Sequence, residues 1–439
     1  MYDIFSLPDC HFPPGFIWGS STAAHQIEGN NIHSQWWDNE QQGKTKERSG
    51  AACNSYVQWR DDNQLLSDLG HQAYRMSIEW SRIEPNQGEF NDEALDHYKV
   101  LIDDLKSRGI KVFLTLWHWT HPLWFEQMGG FTKRENVVHF ERFTRHVAKA
   151  LADRVDSWNI LNEFNLRPTC VENYIVAHAR AYRIIKEYSK APVSSAHAFL
   201  CLEPWRRNDP FDRAMTDYTD MIQNEFFFHG IRTGEFIRPN RDMEYIPELK
   251  GSCDYWAINS YTRHFVDARK EGMCTCNRFE HKQLRFTGEP FYLEEFYPEG
   301  FIYNLERLKD LPVVITENGL STNDDKFRIV YIALHLSALH EAMRRGVDLR
   351  GYLYWSLLDN YEWGSYKPRF GLVEVDRASG NFERTPKPSA LFFKDVIEAN
   401  ALTQDIIRRH ISELPTLRTP APRETPLPAF APVPDIGAW

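Results

Sequence analysis

No stretch of eighteen apolar residues occurs in this 439-residue sequence, so no membrane-spanning helix is expected. The N-terminal segment MYDIFSLPDCHFPPGF lacks a basic stretch followed by an apolar one, so no secretory leader is expected, and the chain reads as a soluble, cytoplasmic protein. Basic blocks are absent as well. The formal net charge is −10, with 51 Lys and Arg against 61 Asp and Glu, which argues against nucleic acid and anionic membranes as partners. Cysteine is sparse: seven residues, an odd number at scattered positions, fit reduced thiols rather than a disulfide framework. Only Cys274 and Cys276 stand close together. Without a second pair, or a His at ligand spacing, they do not make a zinc site, and neither a metal nor a cofactor is expected. No internal repeat is visible.

What the chain has in quantity is aromatic surface and carboxylate. Hydrophobic residues make up 42% of it, ample for a core, and aromatic residues 14%, including 14 Trp. That exceeds what packing ordinarily needs, and flat aromatic faces serve proteins that grip the apolar faces of a ligand such as a sugar. Apolar strand-like runs alternate with amphipathic helical stretches, the pattern of a parallel sheet covered by helices. Eight such runs stand at 16–28, 73–80, 111–119, 155–164, 193–200, 255–261, 312–317 and 351–358. They predict a single-domain α/β fold, a closed (β/α)8 TIM barrel over residues 1–410. Helical spacing covers 56–69, 92–108, 133–152 and 325–345, with Gly70, Gly109 and Gly346 where C-terminal caps belong. Residues 267–298 read as a long excursion rather than a repeat unit. Residues 411–439 form a second region, a proline-rich tail with seven Pro between 415 and 434, which predicts an extended or disordered segment.

The stretch LPVVITENGL, residues 311–320, delivers Glu317 at the end of a β-branched run, just before Asn318-Gly319. DSWNILNEF, residues 156–164, repeats the design and leads out to Glu163. A lone Glu at a strand end is usually only solvated. Two of them in one barrel share a rim, because catalytic residues of such barrels come from the C-terminal ends of strands. The other strand ends are polar or aromatic too. Gln26 and Glu28 follow the first, Arg75 lies on the second, His118-Trp119 ends the third and Asn162-Glu163 the fourth. Asn259 and Tyr261 close the sixth, and the eighth runs through Trp355 into Asp359, Glu362 and Trp363. Each has a bland alternative: Arg75 as a structural ion pair, His118 as a satisfied core histidine, Trp355 as packing, Glu362 as a solvated loop residue. Their convergence outweighs those alternatives. Two carboxylates across a pocket suit glycoside hydrolysis, where one protonates the leaving oxygen and the other attacks the anomeric carbon or activates water. Arg75 and Tyr261 are candidates to hold one carboxylate ionised, and less charged surroundings would raise the pKa of the other.

Over residues 12 to about 399 the chain resembles the family 1 glycoside hydrolases, the β-glucosidase family. FPPGFIWGSSTAAHQIEG, YRMSIEWSRIEP, LTLWHW, NEF, INSYT, ITENG and YWSLLDNYEW occur in that family's order. The resemblance implies a retaining mechanism with Glu317 as nucleophile and Glu163 as acid/base. It implies that Gln26, His118, Trp119, Asn162, Glu362 and Trp363 hold the sugar hydroxyls over a floor made by Trp355, with Arg75, Asn259 and Tyr261 around the nucleophile. Two residues depart from the family pattern. Phe164 stands where Pro usually follows the acid/base, and Ser260 where a second aromatic usually separates Asn259 from Tyr261. Neither removes a catalytic group. The loops after Glu163 and Glu317 are shorter than typical, which lowers the walls on the leaving-group side. The expected function is hydrolysis of unphosphorylated β-D-glucosides, with β-galactosides or β-fucosides as further candidates, through a covalent glycosyl-enzyme tolerant of bulky aglycones. The alternatives are a transglycosidase using the same intermediate and a catalytically silent sugar-binding protein. The expected partner is a small-molecule β-glycoside; the oligomeric state is not legible.

Overall fold

Eight parallel strands close on themselves around one axis in a computed structural model that describes residues 3–239, 241–269, 275–276 and 296–415. The strands are β1 (Ile17–Ser21), β2 (Ala73–Ser77), β3 (Lys111–Trp117), β4 (Ser157–Asn162), β5 (Val193–Ala198), β6 (Trp256–Asn259), β7 (Val313–Glu317) and β8 (Leu349–Trp355). Their spatial order follows the chain, and β8 returns to β1 in the register Gly351 opposite Ile17 through Trp355 opposite Ser21. All eight expected strands are present, and with them the single-domain (β/α)8 barrel. Seven of the eight expected runs overshoot their strands at the C-terminal end; the run at 312–317 ends with β7. Residues 16–28, for example, divide into β1 and a one-turn helix, α1 (Ala24–Ile27), whose first amide donates to the Ser77 hydroxyl at the end of β2 at 2.7 Å.

Side chains sort into two apolar layers. Inside the barrel, Ala73, Phe113, Ala196, Ala257, Val314 and Leu353 pack with Tyr255, a mixture of small and large residues that fills a narrow closed sheet. Between strands and helices lies the larger layer, which contains the buried indoles of Trp18, Trp117, Trp158 and Trp256. The helices form where the spacing predicts. In α2 (Asp92–Ser107), Asn91 caps the Ala94 amide at 3.2 Å, and Asp92 and Glu93 sit in the first turn, where the helix dipole favours negative charge. Leu95, Tyr98, Ile102 and Leu105 make its buried face. Two other helices match as well, Ser55–Asp68 and Asp325–Arg344, and Gly70, Gly109 and Gly346 follow their helices at positive φ. The expected helix over 133–152 is instead a 3-10 turn, Arg134–Asn136, followed by α3 (Val137–Leu151). There the Asn136 side chain is drawn back to the carbonyls of Met128 and Gly130 rather than along the helix.

Most of the expected excursion at 267–298 lies outside the described residues. So do Cys274, and with it the Cys274-Thr-Cys276 pair, and the proline-rich stretch from 416 onward. Cys10, Cys53, Cys170, Cys201 and Cys253 form no disulfide. No described helix is long and apolar enough to cross a membrane.

The end of β7 is the tightest junction near the rim. Asn318 donates to the Ser260 carbonyl at 2.7 Å and to the Tyr331 hydroxyl at 2.9 Å, and it accepts from the Tyr352 hydroxyl at 2.9 Å. One buried amide thus ties β7 to the segment after β6, to a covering helix and to β8. At Gly319 the backbone runs against β8 so closely that a Cβ would stand 1.7 Å from the Trp355 carbonyl oxygen. Asn318-Gly319 therefore ends the strand as a buried junction. Gly319→Ala should cost roughly 3 kcal/mol or more, because the obstacle is backbone and cannot swing aside. The check is a thermal or denaturant unfolding curve together with activity, and a wild-type midpoint would contradict it.

Candidate active site

Every rim residue expected to take part in chemistry is joined to at least one other. Arg75, fully buried on β2, donates through Nη1 to Glu317 Oε1, through Nη2 to Asn162 Oδ1 at 2.6 Å, and through Nε to Asn159 Oδ1 at 3.0 Å. The Tyr261 hydroxyl donates to Glu317 Oε2 at 2.7 Å. One carboxylate thus receives a guanidinium on one oxygen and a phenol on the other. Burial, and then the charge of Glu317, hold the Tyr261 phenol well above its usual range, so it remains a donor.

Glu163 has different neighbours. It follows the last residue of β4 in a left-handed conformation, φ 49°. Its Oε1 accepts from Asn259 Nδ2 at 3.0 Å, and the same amide reaches Asn162 Oδ1 at 3.0 Å. The orientation of Asn259 follows from its other end, where Oδ1 accepts the Thr316 hydroxyl at 2.7 Å. No cation bonds to Glu163 among the described residues. Burial raises its pKa to about 8, helped by the negative charge of Glu317, while the Asn259 bond acts in the opposite sense.

The next ring of groups is aromatic and amide. Because Asn162 Oδ1 accepts from Arg75 and Asn259, its Nδ2 is the atom that meets His118 Nε2 at 3.1 Å. His118 therefore carries its proton on Nδ1, which is buried without a partner, and burial beside Arg75 keeps the ring neutral. Trp119 donates to the Asn162 carbonyl at 3.2 Å, and Trp355 donates to Glu362 Oε1 at 3.2 Å. Gln26 Nε2 holds Glu362 Oε2 at 3.0 Å and leaves Gln26 Oε1 buried and unpartnered. The Glu362 carboxyl is pushed up to about 7, chiefly by burial. Trp363 packs on Trp119 at 4.9 Å and lies near-parallel to His118 at 6.0 Å.

These groups surround a cavity of about 330 Å³ lined by Glu163, Glu317, His118, Trp119, Asn259, Tyr261, Trp355, Glu362 and Trp363. Gln26, Arg75 and Asn162 are joined to that lining by hydrogen bonds, to Glu362, Glu317 and His118 respectively. Two other strand-end acids lie elsewhere. Glu28 is taken by Arg82 and the Tyr98 hydroxyl, each at 2.8 Å, and Asp359 by Lys387 at 2.7 Å and the Gly371 amide at 2.9 Å. Sequence reasoning did not place the rest of the wall: Leu166, Ala198, Phe199, Leu200, Ser260, Thr262, His264 and Phe370. The residues directly after β5 and β6 were open to the strand-end rule. Asn159, which holds Arg75, and Tyr255, whose hydroxyl accepts from Asn159 at 2.8 Å, lie inside the barrel and carry no such signal.

A parallel barrel with two carboxylates set in an aromatic and amide-lined cavity at its C-terminal rim belongs to the two-carboxylate class of glycoside hydrolases. Sequence comparison narrows the class. The model of Glycosyl hydrolase family 1 matches residues 9–171 and 168–402, and the chain belongs to that family. Beta-glucosidase A of Thermotoga maritima is 30% identical, with 89% of this chain and 98% of that protein covered. A beta-galactosidase of Saccharolobus solfataricus is 29% identical, covering 93% and 99%. Among solved structures, a beta-glycosidase from Pyrococcus horikoshii superimposes with a TM-score of 0.83 at 34% identity, covering 92% of this chain and 98% of the other.

Because the charge of Glu317 helps to hold Glu163 protonated, removing it should release the proton at lower pH. In Glu317→Gln the titration midpoint of Glu163, followed by NMR of 13C-labelled glutamate, should fall below that of the wild type measured the same way. An unchanged midpoint would rule out the charge of Glu317 as a cause.

Proposed function

We propose that this protein is a retaining β-glycosidase acting on unphosphorylated β-D-glucosides, and on β-galactosides or β-fucosides as further substrates, through a covalent glycosyl-enzyme. The observation that carries the reading is the unequal surroundings of the two acids: Arg75 and Tyr261 both donate to Glu317, whereas Glu163 has one amide donor and a pKa raised to about 8. In the first step Glu317 attacks the anomeric carbon while the bond to the aglycone oxygen breaks and Glu163 delivers its proton to that oxygen. Esterification removes the negative charge of Glu317, and with it one cause of the raised pKa at Glu163. Glu163 then accepts a proton from water as that water attacks the same carbon and Glu317 departs. Gln26, His118, Trp119, Asn162, Glu362 and Trp363 hold the sugar, and Trp355 lies beneath it. The unpartnered Gln26 Oε1 is suited to accept from a hydroxyl, and the unpartnered His118 Nδ1–H to donate to one. Solved structures of the Thermotoga maritima enzyme in complex with deoxynojirimycin and with glucoimidazole accord with such a glycone site.

Glu317→Gln should lose several orders of magnitude in kcat. Glu163→Ala should suffer least on aryl glycosides with good leaving groups, which need no proton, and azide should partly restore it while yielding a β-glycosyl azide. Substantial residual activity in Glu317→Gln, or an inverted product from the wild type, would sink these roles. Product analysis in the same assays separates hydrolysis from transglycosylation.

The aglycone end follows from short loops and apolar lining. Seven residues separate Glu163 from the helix Val171–Tyr188, and seven separate Glu317 from Asp325–Arg344. Leu166, Phe199, Leu200 and Phe370 face the cavity there. Low, apolar walls favour bulky or apolar aglycones over a second glucose unit, which needs flanking polar contacts. Measured together, kcat/KM for a steryl, lipid or flavonoid β-glucoside should exceed that for cellobiose. The buried Glu362 carboxyl should make a 6-phosphoglucoside slower than its unphosphorylated parent. A clear advantage for cellobiose would refute the open aglycone end.

A further inference from the structure

A buried pair that is not itself part of the cavity lining is packed against one of its walls. His25 is 2% exposed and Glu40 1%. Glu40 Oε1 lies 3.0 Å from His25 Nε2, and Glu40 Oε2 accepts from the Ser49 amide at 2.9 Å and the Ser49 hydroxyl at 2.7 Å. Asn31 meets the other ring nitrogen, its Nδ2 standing 3.1 Å from His25 Nδ1, while Asn31 Oδ1 accepts the Ser81 hydroxyl at 2.7 Å. Since the amide oxygen of Asn31 is taken, its nitrogen is the atom turned to the ring. Nδ1 therefore accepts and Nε2–H donates to Glu40. A ring held at both nitrogens has its plane fixed.

That plane is matched to Trp363. The His25 and Trp363 rings are parallel to within 4°, with centroids 6.0 Å apart, and Trp36 and Trp363 form a T-shaped pair with centroids 4.9 Å apart. Trp363 needs such support. Its backbone sits at φ 44°, in the left-handed region that a bulky side chain keeps only where its surroundings hold it. Its neighbours in the cavity, Trp119 and His118, are ligand-facing and do not anchor it from behind. The adjoining residue of α1, Gln26, holds Glu362 at 3.0 Å. Two consecutive residues of one short helix thus fix two consecutive residues of the β8 loop.

We propose that His25, anchored by Glu40 and Asn31, is a positioning residue for the glycone end of the site: it sets the plane of the Trp363 indole and hence the fit of the sugar against it. The proposal rests on the reading of the cavity as a sugar site, and sugar binding can be measured apart from turnover. Neither His25 nor Glu40 touches the reacting carboxylates, so ground state and transition state should lose the same contacts.

The test compares His25→Ala, His25→Phe and the near-isosteric Glu40→Gln with the wild type. It reads kcat and KM on an aryl β-glucoside, the affinity for free glucose by calorimetry, and the unfolding midpoint. His25→Ala and Glu40→Gln should raise KM and weaken glucose binding together by about 10-fold while kcat changes by less than about 3-fold. His25→Phe keeps a ring against Trp363 and should fall between them and the wild type. A general loss of stability would lower the amount of folded enzyme without moving KM or the glucose affinity of what remains. KM and glucose affinity within about 2-fold of wild type in folded Glu40→Gln would overturn the proposal, even if His25→Ala does not fold. A wild type that binds glucose but hydrolyses no glycoside would instead sink the functional reading, and the calorimetric comparison would still decide the role of His25.

Discussion

The site depends first on a guanidinium enclosed by the barrel. Arg75 has no exposed surface, and a buried charge is costly unless it is paired and its remaining donors are used. Here one arm goes to Glu317, a second to Asn162 and the Nε–H to Asn159, which is itself held to the Tyr255 hydroxyl. Strands β2, β4 and β7 are thereby linked through one side chain in the middle of a closed sheet. Arg75 replaced by an apolar residue would leave Glu317 buried without its cation, and a lysine would supply a point charge in place of three directed donors.

From that centre the asymmetry of the two acids follows. The cation and the phenol are spent on Glu317, and what remains for Glu163 is an amide shared with Asn162. Two like groups in one cavity are thus held in unlike protonation environments, and the charge of the first helps to keep the proton on the second. The same reasoning explains why so many amides line the rim. Asn162, Asn259, Asn318 and Gln26 each offer both a donor and an acceptor, so they transmit orientation from strand to strand without adding charge to a site that already carries several acids.

Backbone geometry is the second constraint. Glu163, Trp119 and Trp363, three of the cavity residues, hold positive φ. Each sits where a strand or loop must turn sharply to aim a large side chain at the cavity, and each is clamped by neighbours: Asn259 on Glu163, the Asn162 carbonyl on Trp119, and the ring of His25 on Trp363. The strain is local, and the barrel beneath is regular enough to bear it.

Much of this was legible in the sequence. Strands buried on both faces must be apolar runs, and helices that cover them must repeat every three to four residues, so the alternation reports an eight-stranded barrel. Cavities in such barrels open at strand ends, so the cavity-lining Glu163, Glu317, His118, Trp355 and their neighbours could be picked out by position. Glu28 and Asp359 met the same criterion and serve structure instead, because a strand-end position does not say which way a side chain turns. Asn159 and Tyr255 were invisible, since a polar residue inside a barrel looks in sequence like any other strand residue. Tertiary structure alone decided which oxygen of Glu317 meets Arg75 and which meets Tyr261, that Glu163 is left with an amide, and that His25 lies flat against Trp363. The physical reason is one of range. Periodicity and strand-end position are set by neighbours along the chain, whereas burial, partner choice and the resulting pKa values depend on groups more than two hundred residues apart, such as Arg75 and Glu317, which are 242 apart and meet only when the barrel closes.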